Sequence, residues 1–443
     1  MPAGATGLDV RPFRALTYRR HDPGHLARVS SPAYDLVTSG ARDRLAAADP
    51  HNVVRLILPE LSGAPGAGDA AAGARSTAGR TAEDRVARVV AHAARTLREW
   101  ESGAVLERDP VPALWVYELR PPHGAPATVG WLGAVVLPPP GSRAVLPHED
   151  TFPAAVEGRR ALLAATETDL EPIVLAHDAD PRVAALTDAA RSGPPDLRLV
   201  DADGVEHRLW RVTDAGLLRE VRAALARTAA VIADGHHRFA AACAHARDVG
   251  GENEQGAVLA LVTPMGPGGL RVEPIHRVLP GLDIDDAVAG AAHGFRTTRL
   301  HVRDRAELLA TARRWQQDPA QTGFLLTDGS RLVHLDRPDE AVRDAVPAEA
   351  PPAWRRLDVV LAHAGLFGRL WGRDDGPDDV VVAHDLDQAL RSAAERSGVA
   401  ILLRAPSPTD VAEVARAGAR MPRKSTLFVP KPRTGLVFRP HSD

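Results

Sequence analysis

Asp234, Gly235, His236, His237 and Arg238 put an acid, two imidazoles and a guanidinium into five consecutive residues. They stand between an apolar, strand-like run from Ala229 to Ala233 and an Ala-rich helical pattern that begins near Phe239. A helix start exposes unpaired N–H groups and a partial positive charge, so this junction suits an anion. Gly235 lets the backbone turn tightly and come close to a ligand. Arg238 can fork onto phosphate oxygens, and His236 and His237 can donate to the same anion or shuttle a proton. Asp234 can hold a divalent cation or orient an imidazole. The competing reading is an ordinary Asp N-cap with solvated neighbours. Both imidazoles on one metal ion is the weaker assignment, because adjacent helical residues point about 100° apart.

Two further clusters carry polar chemistry. His148, Glu149, Asp150 and Thr151 precede Arg159 and Arg160 at a loop-to-helix junction. A carboxylate beside an imidazole suits a general base, and Arg159 suits an acidic substrate, although the same residues also make a plain N-cap. Near the C-terminus lie Lys424, Ser425 and Thr426, then Lys431, Thr434 and Gly435. Of 54 basic residues only Lys424 and Lys431 are lysine. Two lysines that survive in an arginine-rich chain point to positions where a compact, rotatable ammonium works and a planar guanidinium fails. A solvated basic tail is the alternative. Smaller candidates are Tyr34 with Asp35, Asn52 with Arg55, and His276 with Arg277. For these, substrate binding competes with buried hydrogen bonding.

The elements that must position these groups alternate irregularly. Helical spacing runs from Ala41 to Ala48 and from Thr81 to Glu101, and again after Pro153, near Leu217, Asp286, Arg305, Asp387 and Thr409. His51–Glu60 reads as a strand, as do ALWVYELR, TVGWLGAVVL, EPIVLAHD, VEHRLWRVT, AVLALVTP, LRVEPIHRVL and VAILLRA. Leu61–Gly79 is Gly/Ala-rich without periodicity and reads as a loop. Without a strict βαβ rhythm, the expected class is α+β, divided into residues 1–280 and 281–443. The 443 residues are 44% hydrophobic, with a net charge of −3, a globular balance that argues against nucleic acid as the partner. One cysteine, Cys243, forms no internal disulfide. No apolar run is long enough to span a bilayer and the start lacks a signal-peptide core, so a cytoplasmic protein is expected.

In family order, SPAYDLV, NVVRLILPE, HEDTF with GRRALL, IADGHHRFAAA, PIHRVL, RLDVVLAH and MPRKSTLFVPKPRTGLV resemble the family known as domain of unknown function 1015. The DGHHR turn also looks like the phosphate-gripping turn of the ParB/sulfiredoxin-like superfamily, which includes phosphotransferases such as the free serine kinase. That resemblance implies a ParB/sulfiredoxin-like α/β core elaborated with mixed-sheet subdomains. It further implies that Asp234, His236, His237 and Arg238 hold nucleotide or transferred phosphate. Gly235 with Lys424, Ser425, Thr426 and Lys431 is read from the residues themselves as part of the same phosphate pocket. Mg²⁺ is implied nearby, with Asp234 as its ligand, and ATP or ADP as phosphate donor or acceptor. A glutamate is the base in the serine kinase, and Glu149 fits by type and setting, with His148 and His237 as its catalytic companions. Tyr34, Asp35, Asn52, Arg55, Arg159, His276 and Arg277 are then candidates for the substrate. The expected function is a phosphotransferase on a small amino acid or phospho-amino acid, of the serine/phosphoserine kind, with a homodimer admitted. The alternatives are a ParB-like nucleotide-binding module and a non-catalytic protein. A sulfiredoxin is excluded, since His236 stands where that enzyme has its cysteine.

Overall fold

The computed structural model describes residues 7–60, 78–250, 256–266, 268–318, 322–374, 376 and 379–442. The loop expected over Leu61–Gly79 lies outside them as far as residue 77, and residues 78 and 79 open a helix. The class is mixed α/β, and the chain forms two compact units. The first takes residues up to Leu270 together with Pro430–Asp443, and the second takes Arg271–Val429. The division therefore falls ten residues before the expected position 280, and the C-terminal segment returns to the first unit.

The first unit is built on a nine-stranded sheet. In chain order its strands are β1 (Val10–Arg11), β2 (Leu114–Arg120), β3 (Thr128–Val136), β4 (Val145–Leu146), β5 (Ile173–His177), β6 (Leu197–Val200), β7 (Glu206–Val212), β8 (Ala230–Asp234) and β9 (Ala257–Pro264). Their spatial order is β4-β8-β5-β9-β3-β2-β7-β6, with β1 also pairing β3. The β4–β8 and β5–β9 pairs are parallel and the others antiparallel. Alternate residues feed two cores. Leu132, Leu209, Leu259 and Leu261 pack on one face, while Trp131, Trp210, Val258 and Val262 pack on the other, as the period of two requires. With both faces covered, a strand such as β5 reads as an unbroken apolar run. Its helices include α1 (Ser39–Ala48), α2 (Ala78–Ser102), α3 (Pro153–Thr166), α4 (Pro181–Ala190), α5 (Ala215–Leu225) and α6 (His236–Asp248).

One expected strand is absent. Within His51–Glu60 the chain makes a helical turn, Val54–Ile57. Asn52 decides this locally. Its Oδ1 accepts the Val54 N–H at 2.9 Å, while its amide donates to the Arg28 and Ser30 carbonyls at 2.6 and 3.2 Å. The turn then buries Val54, Leu56 and Ile57 without needing a ladder partner.

The C-terminal segment is fastened along its length. Ser31 and Thr434 exchange main-chain hydrogen bonds of 3.1 and 2.9 Å, as do Leu16 and Phe438 at 3.0 and 2.9 Å. Arg433 donates from Nε to Ser30 Oγ at 2.7 Å, and its N–H donates to the Tyr117 hydroxyl at 3.0 Å. That hydroxyl meets His207 Nδ1 at 2.8 Å, and His207 Nε2 reaches Asp201 at 3.0 Å. Because a carboxylate only accepts, His207 carries its proton on Nε2 and the tyrosine donates to Nδ1.

The second unit carries a six-stranded sheet of β10 (His276–Leu279), β11 (Arg296–Leu300), β12 (Phe324–Thr327), β13 (Leu332–Asp336), β14 (Val381–Ala383) and β15 (Val399–Leu402). The order is β11-β13-β12-β15-β10-β14 and every pairing is antiparallel. Helices α7 (Ile284–Ala291), α8 (Arg305–Gln317), α9 (Leu386–Glu395) and α10 (Pro408–Arg416) belong to this unit, and Leu308, Ala312, Leu386, Ala389 and Leu390 pack into its core. Among the described residues, no helix is long and apolar enough to cross a membrane.

His276 lies fully buried on β10, its Nδ1 accepting the Leu403 N–H at 3.2 Å. Burial, with help from the adjacent Arg277 cation, pulls its pKa down to about 4. The unfolded chain therefore takes up this proton first as the medium is acidified. Stability contributed by the neutral ring is complete above about pH 6.5 and declines between there and pH 4, by up to about 3 kcal/mol. Denaturant titrations at stepped pH should show that slope, and His276→Asn should flatten it.

Candidate functional site

The site begins where β8 hands over to α6. Gly235 sits between them at φ 94°, and a Cβ there would lie 2.7 Å from Ile173 Cγ2, so both conformation and space demand glycine. The helix opens at His236, three residues before the position expected from the alanine pattern. His236, His237 and Arg238 thus supply the first-turn N–H groups. Asp234 does not cap them, for the N-cap is Gly235 and no side chain bonds there. Its carboxylate turns to two cations instead.

Arg238, one helical turn on, pairs with Asp234 Oδ2 and donates to the Pro172 carbonyl at 2.5 Å. Lys431, brought in by the fastened C-terminal segment, places Nζ 2.6 Å from Asp234 Oδ1 and 2.6 Å from Asp35 Oδ2. Its side chain is only 10% exposed. The Tyr34 ring lies under both neighbouring guanidiniums, with Arg159 at 3.8 Å and Arg238 at 5.6 Å from its centroid. Arg159 also donates to the Ile57 carbonyl at 3.0 Å. Buried Glu171 closes the cluster. Its Oε1 accepts the Tyr34 N–H and the Thr434 hydroxyl, each at 3.0 Å, and its Oε2 lies 4.0 Å from Arg159.

Electrostatics fix the charge states. Burial pushes the Asp234 carboxyl upward, but Arg238 and Lys431 outweigh it and hold its pKa below the usual carboxylate value. Burial works against the Lys431 ammonium, yet Asp234 and Asp35 raise its pKa above the ordinary lysine value. Burial raises Tyr34, which therefore stays a phenol at neutral pH. The cluster is three cations set against three carboxylates, each held where it is by its opposite.

This arrangement decides how a divalent ion fits. Oδ1 of Asp234 faces Lys431 and Oδ2 faces Arg238, so an ion on this carboxylate has to displace a bonded cation. Among the described residues, no group of three or more His, Cys, Asp or Glu is placed to hold a metal. The donor set does not fit Mg²⁺ held by Asp234.

The loop carrying the second sequence cluster comes to the same turn. The His148 N–H donates to His236 Nε2 at 3.3 Å, and their rings meet edge to face at 4.7 Å. The Phe152 N–H donates to His237 Nε2 at 3.1 Å, with the two rings nearly parallel and 5.8 Å apart. Two adjacent imidazoles diverge and grip the two ends of one loop, with Glu149 between them. Both rings accept through Nε2, which leaves the proton of the neutral form on Nδ1.

The remaining candidates are placed elsewhere. Asn52 is committed to the three main-chain bonds described above, and Arg55 donates to the Ala46 carbonyl at 2.6 Å. Lys424, Ser425, Thr426, His276 and Arg277 belong to the second unit. There Lys424 is exposed at φ 53°, Ser425 is buried and donates to the Pro422 carbonyl at 2.5 Å, and Thr426 is half-buried. Arg277 is buried, donating to His363 Nε2 and to the Arg423 carbonyl, each at 3.0 Å. Sequence reasoning missed Glu171, whose one signal is an acid just before the apolar run of β5.

Among solved structures, similarity extends to a free serine kinase in complex with AMP, at 15% identity, covering 66% of this chain and 89% of that one, with a TM-score of 0.29. A C-terminally truncated SbnI from Staphylococcus aureus matches at 13% identity, 69% and 85% coverage and a TM-score of 0.33. A conserved hypothetical protein from Pyrococcus furiosus matches at 14% identity, 66% and 90% coverage and a TM-score of 0.29. No curated protein sequence matches the chain. Residues 10–360, most of the sequence, match the family described as protein of unknown function DUF1015, and the chain belongs to that family.

Proposed function

We propose that the first unit is a nucleotide-dependent phosphotransferase acting on a small amino acid, moving a phosphoryl group between ATP or ADP and the serine/phosphoserine pair. The observation that carries this reading is Lys431 lodged on Asp234 beside Arg238, at the first turn of α6. Phosphoryl transfer asks chiefly for positioning and for positive charge around non-bridging oxygens. The N–H groups of His236 and His237 with Arg238 and Lys431 offer both, and the carboxylates keep the cations from drifting between turnovers. Arg159 receives the carboxylate of the amino acid and Asp35 its ammonium group. Glu149 takes the hydroxyl proton as the serine oxygen bonds to phosphorus and the bond to the departing nucleotide breaks, releasing ADP from ATP or AMP from ADP, with His148 and His237 positioning its loop. Asp234 is committed to Arg238 and Lys431 and is assigned no metal ion.

The test is mass-spectrometric. Purified protein with Mg²⁺ is incubated with ATP plus serine, with ADP plus serine and, separately, with ADP or AMP plus phosphoserine. Phosphoserine should accumulate in one of the first two reactions, or ATP or ADP in the last, and exchange in none of them would sink the proposal.

A further inference from the structure

Of the large apolar side chains exposed among the described residues, Phe152 is the one aromatic, at 56%. Its backbone is held firmly. The residue is the N-cap of α3, Pro153 follows at the first helical position, and its carbonyl accepts the Val156 N–H at 3.0 Å. Its own N–H is bonded to His237. The ring runs nearly parallel to the His237 imidazole and offset from it, 5.8 Å between centroids at an interplanar angle of 15°. An exposed aromatic plane is thus anchored through its main chain to the first turn of α6, which also carries Arg238.

We infer that Phe152 is the stacking platform for the base of the bound nucleotide, an inference that rests on the phosphotransferase reading of the same turn. A nucleotide is the ligand that joins a flat π face to a multiply charged oxyanion through a short linker. The turn offers the complements of both in one piece, with Arg238 and the helix N–H groups for the phosphates and the open ring for the base. Stacking tolerates any base, so Phe152 sets affinity for nucleoside over bare phosphate rather than reading base identity.

Calorimetric titration with ATP and with inorganic tripolyphosphate separates the outcomes. Wild-type protein should bind ATP more tightly than tripolyphosphate. Phe152→Ala should weaken ATP about tenfold while leaving tripolyphosphate within about twofold, and Phe152→Tyr should restore ATP binding. The alanine variant keeps the main-chain bond to His237 and loses an exposed ring, so it folds. Equal weakening of both ligands, an unchanged ATP affinity, or equal wild-type affinity for the two would overturn the platform while leaving the phosphate site standing. Wild-type protein that binds neither ligand would overturn the phosphate site and the platform with it.

Discussion

Arg238→Ala should abolish the proposed phosphoryl exchange between nucleotide and serine, by about 10³-fold or more, in protein that still folds. The guanidinium does three things at once: it pairs with Asp234, donates to the Pro172 carbonyl and lies 5.6 Å from the Tyr34 ring centroid. Burial alone would favour its neutral form, but Asp234 and then Glu171 raise its pKa, so it stays charged at every working pH. An arginine that meets developing charge on a transferred phosphoryl group is worth several orders of magnitude. Arg238→Lys should not rescue the loss, because one ammonium cannot span the carboxylate and the carbonyl as a planar fork does. Steady-state assays of both variants, with circular dichroism to confirm the fold, check this. Turnover within tenfold of wild type in the alanine variant would remove Arg238 from the chemistry.

Lys431→Met should produce the largest loss of stability, about 3 kcal/mol, together with loss of exchange. The ammonium sits 2.6 Å from each of two carboxylates and is almost buried, so its removal leaves Asp35 and Asp234 facing each other with part of their compensation gone. Because Asp35 keeps a third of its side chain in water, the low end of the range for broken buried pairs applies. Lys431→Arg should fail as well, since a planar guanidinium does not reproduce a point charge seated between two oxygens. The pH profile identifies the pair. The raised pKa of Lys431 gives stability that is complete below the ordinary lysine value near 10.5 and is lost as pH rises through the raised one. The depressed pKa of Asp234 gives stability that is complete above 3.8 and is lost as pH falls through the lowered one. Denaturant titrations across both ends should show wild type losing what Lys431→Met never had. A double variant, Asp234→Asn with Lys431→Met, should recover part of the loss by removing the stranded charge. Additive losses would mean that the two residues do not interact.

Much of the layout is readable along the chain because helices and strands announce themselves through neighbours. The near-continuous apolar runs in Leu114–Arg120 and Thr128–Val136 report a sheet with two covered faces, and the spacing of Val90, Ala93, Leu97 and Trp100 reports the inner stripe of α2. Gly235 between an apolar strand and an Ala-rich helix reports the turn. The same local logic misreads Val53–Ile57, where β-branched and aliphatic residues suggest a strand. Asn52 there supplies three main-chain bonds from its own side chain, which makes the ladder unnecessary.

What the sequence determined by itself is the class of fold and the strand–Gly–helix junction, since each depends on residues within a turn or a pleat of one another. Only the tertiary structure decided which charges stand around that junction. Lys431 meets Asp35 across 396 positions and Thr434 meets Glu171 across 263. Nothing in local spacing distinguishes a lysine that will be desolvated between two acids from one that remains in water like Lys424. The distinction arises only when the sheet is built and the C-terminal segment is pinned against it, because burial is what turns a weak surface pairing into a strong and selective one.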